Sequence, residues 1–84
     1  MARILLIEDD DPLRKVLATV LTNAGHAVTQ AEDGQAGVDL FHAEPTDLVI
    51  TDIIMPRKEG IETIATLRRE NPGLPIIAIS GGAS

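Results

Sequence analysis

Four side chains in this sequence have types and positions that could act together: the neighbouring acids Glu8 and Asp9, the acid Asp52, and the hydroxyl of Ser80. Each follows a short apolar run. Ile4-Leu5-Leu6-Ile7 leads into the acidic pair, Leu48-Val49-Ile50-Thr51 into Asp52, and Ile76-Ile77-Ala78-Ile79 into Ser80. If these runs are parallel strands of one sheet, all four side chains emerge at its carboxyl edge, where open α/β sheets bind ligands. Three carboxylates crowded there repel one another, and a hard divalent cation relieves the repulsion. Mg²⁺ suits such a site because it takes few carboxylates, keeps waters and bridges to a phosphoryl oxygen. Asp52 could then accept a phosphoryl group as an acyl phosphate, with the metal neutralising charge and Ser80 binding one of the oxygens.

Taken singly, each feature has a plainer explanation. An acidic run such as Glu8-Asp9-Asp10-Asp11 commonly marks a solvated helix start, because acids favour helix N-termini. Asp10 and Asp11 are assigned to that role here. Asp52 alone could be a turn residue and Ser80 alone a loop hydroxyl; their shared position at strand ends favours the chemical reading. His26 falls at a turn and His42 near a helix end, where neither is expected to be a ligand or a base.

The elements that must position these residues follow from periodicity and punctuation. After the first strand, Asp11 is expected to cap a helix opened by Pro12, with Leu13, Val16, Leu17, Val20 and Leu21 forming one apolar stripe. Gly25 ends it, and Ala27 to Ala31 form a second strand. Asp33 caps a helix from about Gly34 to Ala43 that turns Ala36, Leu40 and Phe41 inward. The third strand ends at Asp52 and Pro56 prevents a helix from running through. A loop through Gly60 then leads to a helix from about Ile61 to Glu70, with Ile61, Ile64, Ala65 and Leu67 or Arg68 inward. Asn71-Pro72-Gly73 breaks it, Ile76 to Ile79 form a fourth strand patterned for burial, and Gly81 to Ser84 form a flexible end. Alternating strands and helices imply a parallel sheet with right-handed crossovers and helices on both faces.

Composition narrows the function. The chain has 84 residues, one aromatic residue (Phe41) and a net charge of -6, with seven Lys and Arg against thirteen acids. It offers neither a basic stripe for a phosphate backbone nor a platform for stacked bases, so nucleic-acid binding by this segment is disfavoured. Without cysteine it has no disulfide or thiolate metal site. The apolar residues before Glu8 are too few for a signal peptide or a membrane span, and a cytoplasmic protein with no membrane association is expected.

These motifs together resemble the receiver domain of bacterial two-component response regulators. The resemblance rests on Ile4-Leu5-Leu6-Ile7-Glu8-Asp9, on Asp52-Ile53-Ile54-Met55-Pro56 followed by Gly60, and on Pro75-Ile76-Ile77-Ala78-Ile79-Ser80. It implies a flavodoxin-like doubly wound parallel sheet in the strand order second, first, third, fourth, fifth. It implies that Asp52 is the phosphoacceptor, that Glu8, Asp9, Asp52 and the Ile54 carbonyl hold Mg²⁺, that Ser80 is the switch hydroxyl, and that a sensor histidine kinase is the donor. On this basis residues 1–84 correspond to the N-terminal portion of a receiver, with four strands and three helices of the usual five and five. The family's phosphoryl-binding lysine would fall beyond the chain, since neither Lys15 nor Lys58 matches its position.

A phosphorelay signalling module, not an enzyme beyond its own phosphorylation and dephosphorylation, is the leading expectation. One alternative is an interaction or dimerisation half-domain without phosphotransfer. Another is an aspartyl-phosphate phosphohydrolase; such enzymes carry a second Asp two residues after the nucleophile, where this chain has Ile54. Self-association is also expected, through an exposed fourth strand and the first helix, because Ile76 to Ile79 lack the charges and prolines that blunt sheet edges.

Overall fold

The computed structural model describes residues 1–53 and 59–80. Its elements are β1 (Arg3–Ile7), α1 (Asp11–Asn23), β2 (Ala27–Ala31), α2 (Gly34–Ala43), β3 (Leu48–Asp52), α3 (Glu59–Glu70) and β4 (Ile76–Ile79). The four strands form one parallel sheet in the order β2-β1-β3-β4. The expected flexible end, residues 81–84, and the Ile54 carbonyl lie outside the described residues.

The central position of β1 explains its composition. Bonded on both sides and covered on both faces, it exposes only its first residue, Arg3, and Ile4 to Ile7 are all buried. Leu5 and Ile7 join Val49, Ala31, Phe41, Leu67 and Leu74 in one core cluster, against which Ala36 and Val38 of α2 pack. Strand alternation turns Ile4 and Leu6 to the opposite face, and α1 lies against β1 and β2 with its Ala18 buried. The chain steps from β1 to β2 on one side and then crosses to β3 on the other. Loops leaving β1 and β3 therefore part company, opening a crevice at their carboxyl ends.

Tertiary packing corrects several expectations. The N-cap of α1 is Asp10, not Asp11: Asp10 is extended, and its carboxylate accepts from Leu13 N at 3.0 Å. Asp11 enters the first turn, where its carboxylate pairs with Arg14 at 2.7 Å. In keeping with the expected exposure of the first helix, only part of the α1 stripe is covered: Val16 and Val20 are about three-fifths exposed while Leu13, Leu17 and Leu21 are half-buried. In α2 the close face is Gly34, Gly37 and Phe41, and Leu40 is exposed. A Cβ on Gly37 would lie 2.8 Å from Ile7 Cγ1, so the missing side chain lets the helix sit directly on β1.

Helix α3 begins earlier than expected and includes Gly60. It buries Gly60, Thr63 and Leu67, an i, i+3, i+7 face, while Ile61 and Ala65 are exposed and Ile64 is half-buried. The rotation is set by close approach to β3, because a Cβ on Gly60 would lie 2.6 Å from Ile53 Cα. The exposed fourth strand is as expected: among the described residues β4 is an edge of the sheet, with Ile77 half-exposed. As expected, Asp33 caps α2 by accepting from Ala36 N at 2.7 Å, and Gly25 takes a left-handed φ of 96° beyond α1.

Candidate acidic site at the sheet edge

Parallel pairing puts the ends of β1 and β3 level, because Ile7 lies beside Thr51 and each strand is followed by or ends in an acid. Glu8, Asp9 and Asp52 each offer a carboxylate oxygen, and these oxygens lie within 4.8 Å of one another. Glu8 and Asp52 are 1% exposed, whereas Asp9 reaches solvent. Asp10 and Asp11, assigned to the helix start, do not belong to this cluster. Ser80 follows Ile79, the register partner of Asp52, so it leaves the sheet at the same edge and is exposed. The two histidines are elsewhere: His26 Nδ1 accepts from Ala2 N, and His42 pairs with Glu70 across α2 and α3.

Glu8 is held from several directions. Its N–H donates to Ala31 O of β2 at 3.0 Å, its carbonyl accepts from Arg14 Nη1 at 2.9 Å, and its Oε2 accepts from Asp10 N at 3.1 Å. Oε1 is buried and has no hydrogen-bond partner among the described residues. A buried, unpartnered carboxylate oxygen is costly, and burial together with the neighbouring Asp9 and Asp52 carboxyls raises the Glu8 pKa from 4.5 to about 7, against the opposing Asp10 N–H bond. A hard cation would satisfy the orphaned oxygen and the mutual repulsion together. An all-oxygen set of three carboxylates, one of them open to water, fits Mg²⁺ and excludes nothing it needs.

Arg14 and Gly60 are the contributors that periodicity could not reveal. Arg14 sits on the half-buried flank of α1; its only sequence signal is the Asp11–Arg14 spacing that permits an i, i+3 pair. Gly60 reads as a loop residue but allows α3 to press on the tip of β3 beside Asp52.

Comparison with known proteins decides the family. The family described as "Response regulator receiver domain" matches residues 4–84. This chain belongs to the receiver-domain family. It is 39% identical to the response regulator receiver protein CpdR of Brucella abortus over 84 residues, all of this chain and 70% of that protein. It is 36% identical to the transcriptional regulatory protein GlrR of Escherichia coli over 83 residues, 99% of this chain but only 19% of the relative. The chain therefore spans about a fifth of that regulator's length. Among solved structures, the response regulator TrrA of Thermotoga maritima, in complex with Mg(2+)-BeF, superposes with a TM-score of 0.90 at 32% identity, covering 96% of this chain and 70% of TrrA. The Vibrio cholerae chemotaxis protein CheY4 superposes with a TM-score of 0.87 at 28% identity, covering 93% and 67%. The flavodoxin-like fold follows from this membership, and receiver domains are signalling modules. No described helix is long and apolar enough to cross a membrane.

Proposed function

We propose that this receiver accepts a phosphoryl group on Asp52 from a phosphohistidine of a sensor histidine kinase, in a reaction that requires Mg²⁺. The observation that carries the reading is the convergence of Glu8, Asp9 and Asp52 at the β1/β3 crevice, with a buried Glu8 oxygen that has no hydrogen-bond partner among the described residues. That the related TrrA is found in complex with Mg(2+)-BeF supports a Mg²⁺-dependent reading. In this reading Glu8, Asp9, Asp52 and the Ile54 carbonyl hold the ion. Bound Mg²⁺ supplies neutralising charge for the transferring group.

The remaining work belongs to the chain. An Asp52 carboxylate oxygen forms the new bond to phosphorus as the phosphorus–nitrogen bond of the donor breaks, and the electron pair leaves with the imidazole, which takes up a proton. Asp52, buried at the end of β3, is held by the strand, which limits the freedom its oxygen loses on attack. Ser80, at the neighbouring strand end, donates its hydroxyl to an oxygen of the bound phosphoryl group. As a ligand Glu8 would be a carboxylate, its proton released to solvent.

Incubation with acetyl phosphate and Mg²⁺ followed by intact-mass measurement tests the proposal. One phosphoryl group is expected on the wild-type chain, and none on Asp52→Asn or in EDTA. Equal labelling of Asp52→Asn would remove Asp52 from the role.

A further inference from the structure

We propose that Arg14 is a positioning residue for the metal site, holding the Glu8–Asp9 turn in its binding geometry through the two arms of its guanidinium. This inference rests on the Mg²⁺ reading above. Its basis is geometric. Nη1 donates to the Glu8 carbonyl at 2.9 Å while Nη2 lies 2.7 Å from Asp11 Oδ1, and the Arg14 side chain is only 12% exposed. The planar fork thus ties the last residue of the strand end to the first turn of α1, with the turn that carries Asp9 closed between them.

The other restraints on this turn show what Arg14 adds. On the β2 side Glu8 N is bonded to Ala31 O, and inside the turn Glu8 Oε2 accepts from Asp10 N. The Glu8 carbonyl is the one main-chain group of that residue that a side chain secures. If it is released, the peptide between Glu8 and Asp9 can rotate, and both carboxylates move with it. Outer groups that orient metal ligands in this way commonly influence affinity 10- to 100-fold.

Charge alone predicts the opposite sign. A cation beside three carboxylates repels Mg²⁺, so deleting it should tighten binding if electrostatics were its only effect. A purely structural role would lower the unfolding temperature and leave affinity unchanged. A lysine keeps the charge but is a single point, unable to span both partners as the fork does.

The test is Mg²⁺ titration calorimetry on the full chain, wild type against Arg14→Met and Arg14→Lys, with exchange of the Asp10 amide followed by NMR in metal-free buffer. Both variants are expected to bind Mg²⁺ about tenfold more weakly, with faster Asp10 exchange and unchanged protection in β3. Equal or tighter binding by either variant overturns the assignment. If Arg14→Met does not fold, Arg14→Lys decides alone. Wild type that binds no Mg²⁺ overturns the site and Arg14's part in it together, whereas wild-type binding matched by the variants overturns only the latter.

Discussion

Glu8 is a buried carboxyl among other acids, and the conflict between its burial and its charge is measurable as stability. Without metal its folded pKa of about 7 lies above the ordinary 4.5, so the folded state binds the proton more tightly than the unfolded state does. The resulting stabilisation is fully present below pH 4.5 and is lost as pH rises through about 7. A shift of this size corresponds to roughly 3 kcal/mol. In EDTA the urea midpoint of wild type should therefore fall relative to Glu8→Gln between pH 4.5 and 7, and Mg²⁺ should abolish that fall. Parallel midpoint curves for the two proteins would show that burial does not strain Glu8. The acid itself was legible from its place after an apolar run. Its orphaned oxygen was not, because that depends on which groups the fold brings near.

At the scale of elements, α3 shows why a helix can be located from sequence and still be misrotated. Apolar periodicity favours Ile61 and Ala65 inward, yet the buried face is Gly60, Thr63 and Leu67. The deciding contact is between backbones: at Gly60 there is no room for a Cβ beside the Asp52 carbonyl and Ile53 Cα. Helix propensity alone predicts that Gly60→Ala stabilises by about 1 kcal/mol. Overpacking against main chain predicts a loss of about 1 to 3 kcal/mol, and it prevails because backbone cannot rotate away as a side chain can. Denaturant unfolding of Gly60→Ala should thus show a lower midpoint, and a higher one would refute the close approach. Gly37→Ala should cost less, since its Cβ would meet the flexible end of Ile7.

For the molecule as a whole, the uneven covering of the sheet sets its behaviour in solution. Among the described residues β4 pairs only with β3, Ile77 is 48% exposed, and Val16 and Val20 on α1 are exposed as well. An uncharged strand edge of this kind is a template for another strand. The 84-residue chain is expected to self-associate with rising concentration. Its charge of -6 opposes this, so added salt should strengthen association. Light scattering coupled to size exclusion should show a mass that grows with concentration for wild type and less so for Ile77→Lys. A monomer whose thermal transition is independent of concentration would show that the exposed edge is inert.

The sequence by itself determined the alternation of strands and helices, the burial of Ile4 to Ile7, the caps at Asp33 and Gly25, and the placement of Glu8, Asp9, Asp52 and Ser80 at strand ends. These follow from short-range patterns: side-chain period, turn residues and the helix-breaking ring of proline. Tertiary structure decided the rest: the rotation of α3, the shift of the α1 cap to Asp10, and the fork of Arg14 between Glu8 and Asp11. Each of these turns on contacts between segments or on competition among neighbouring polar groups. A local pattern specifies that an acid or an apolar residue is present, but only the packed chain specifies what stands opposite it.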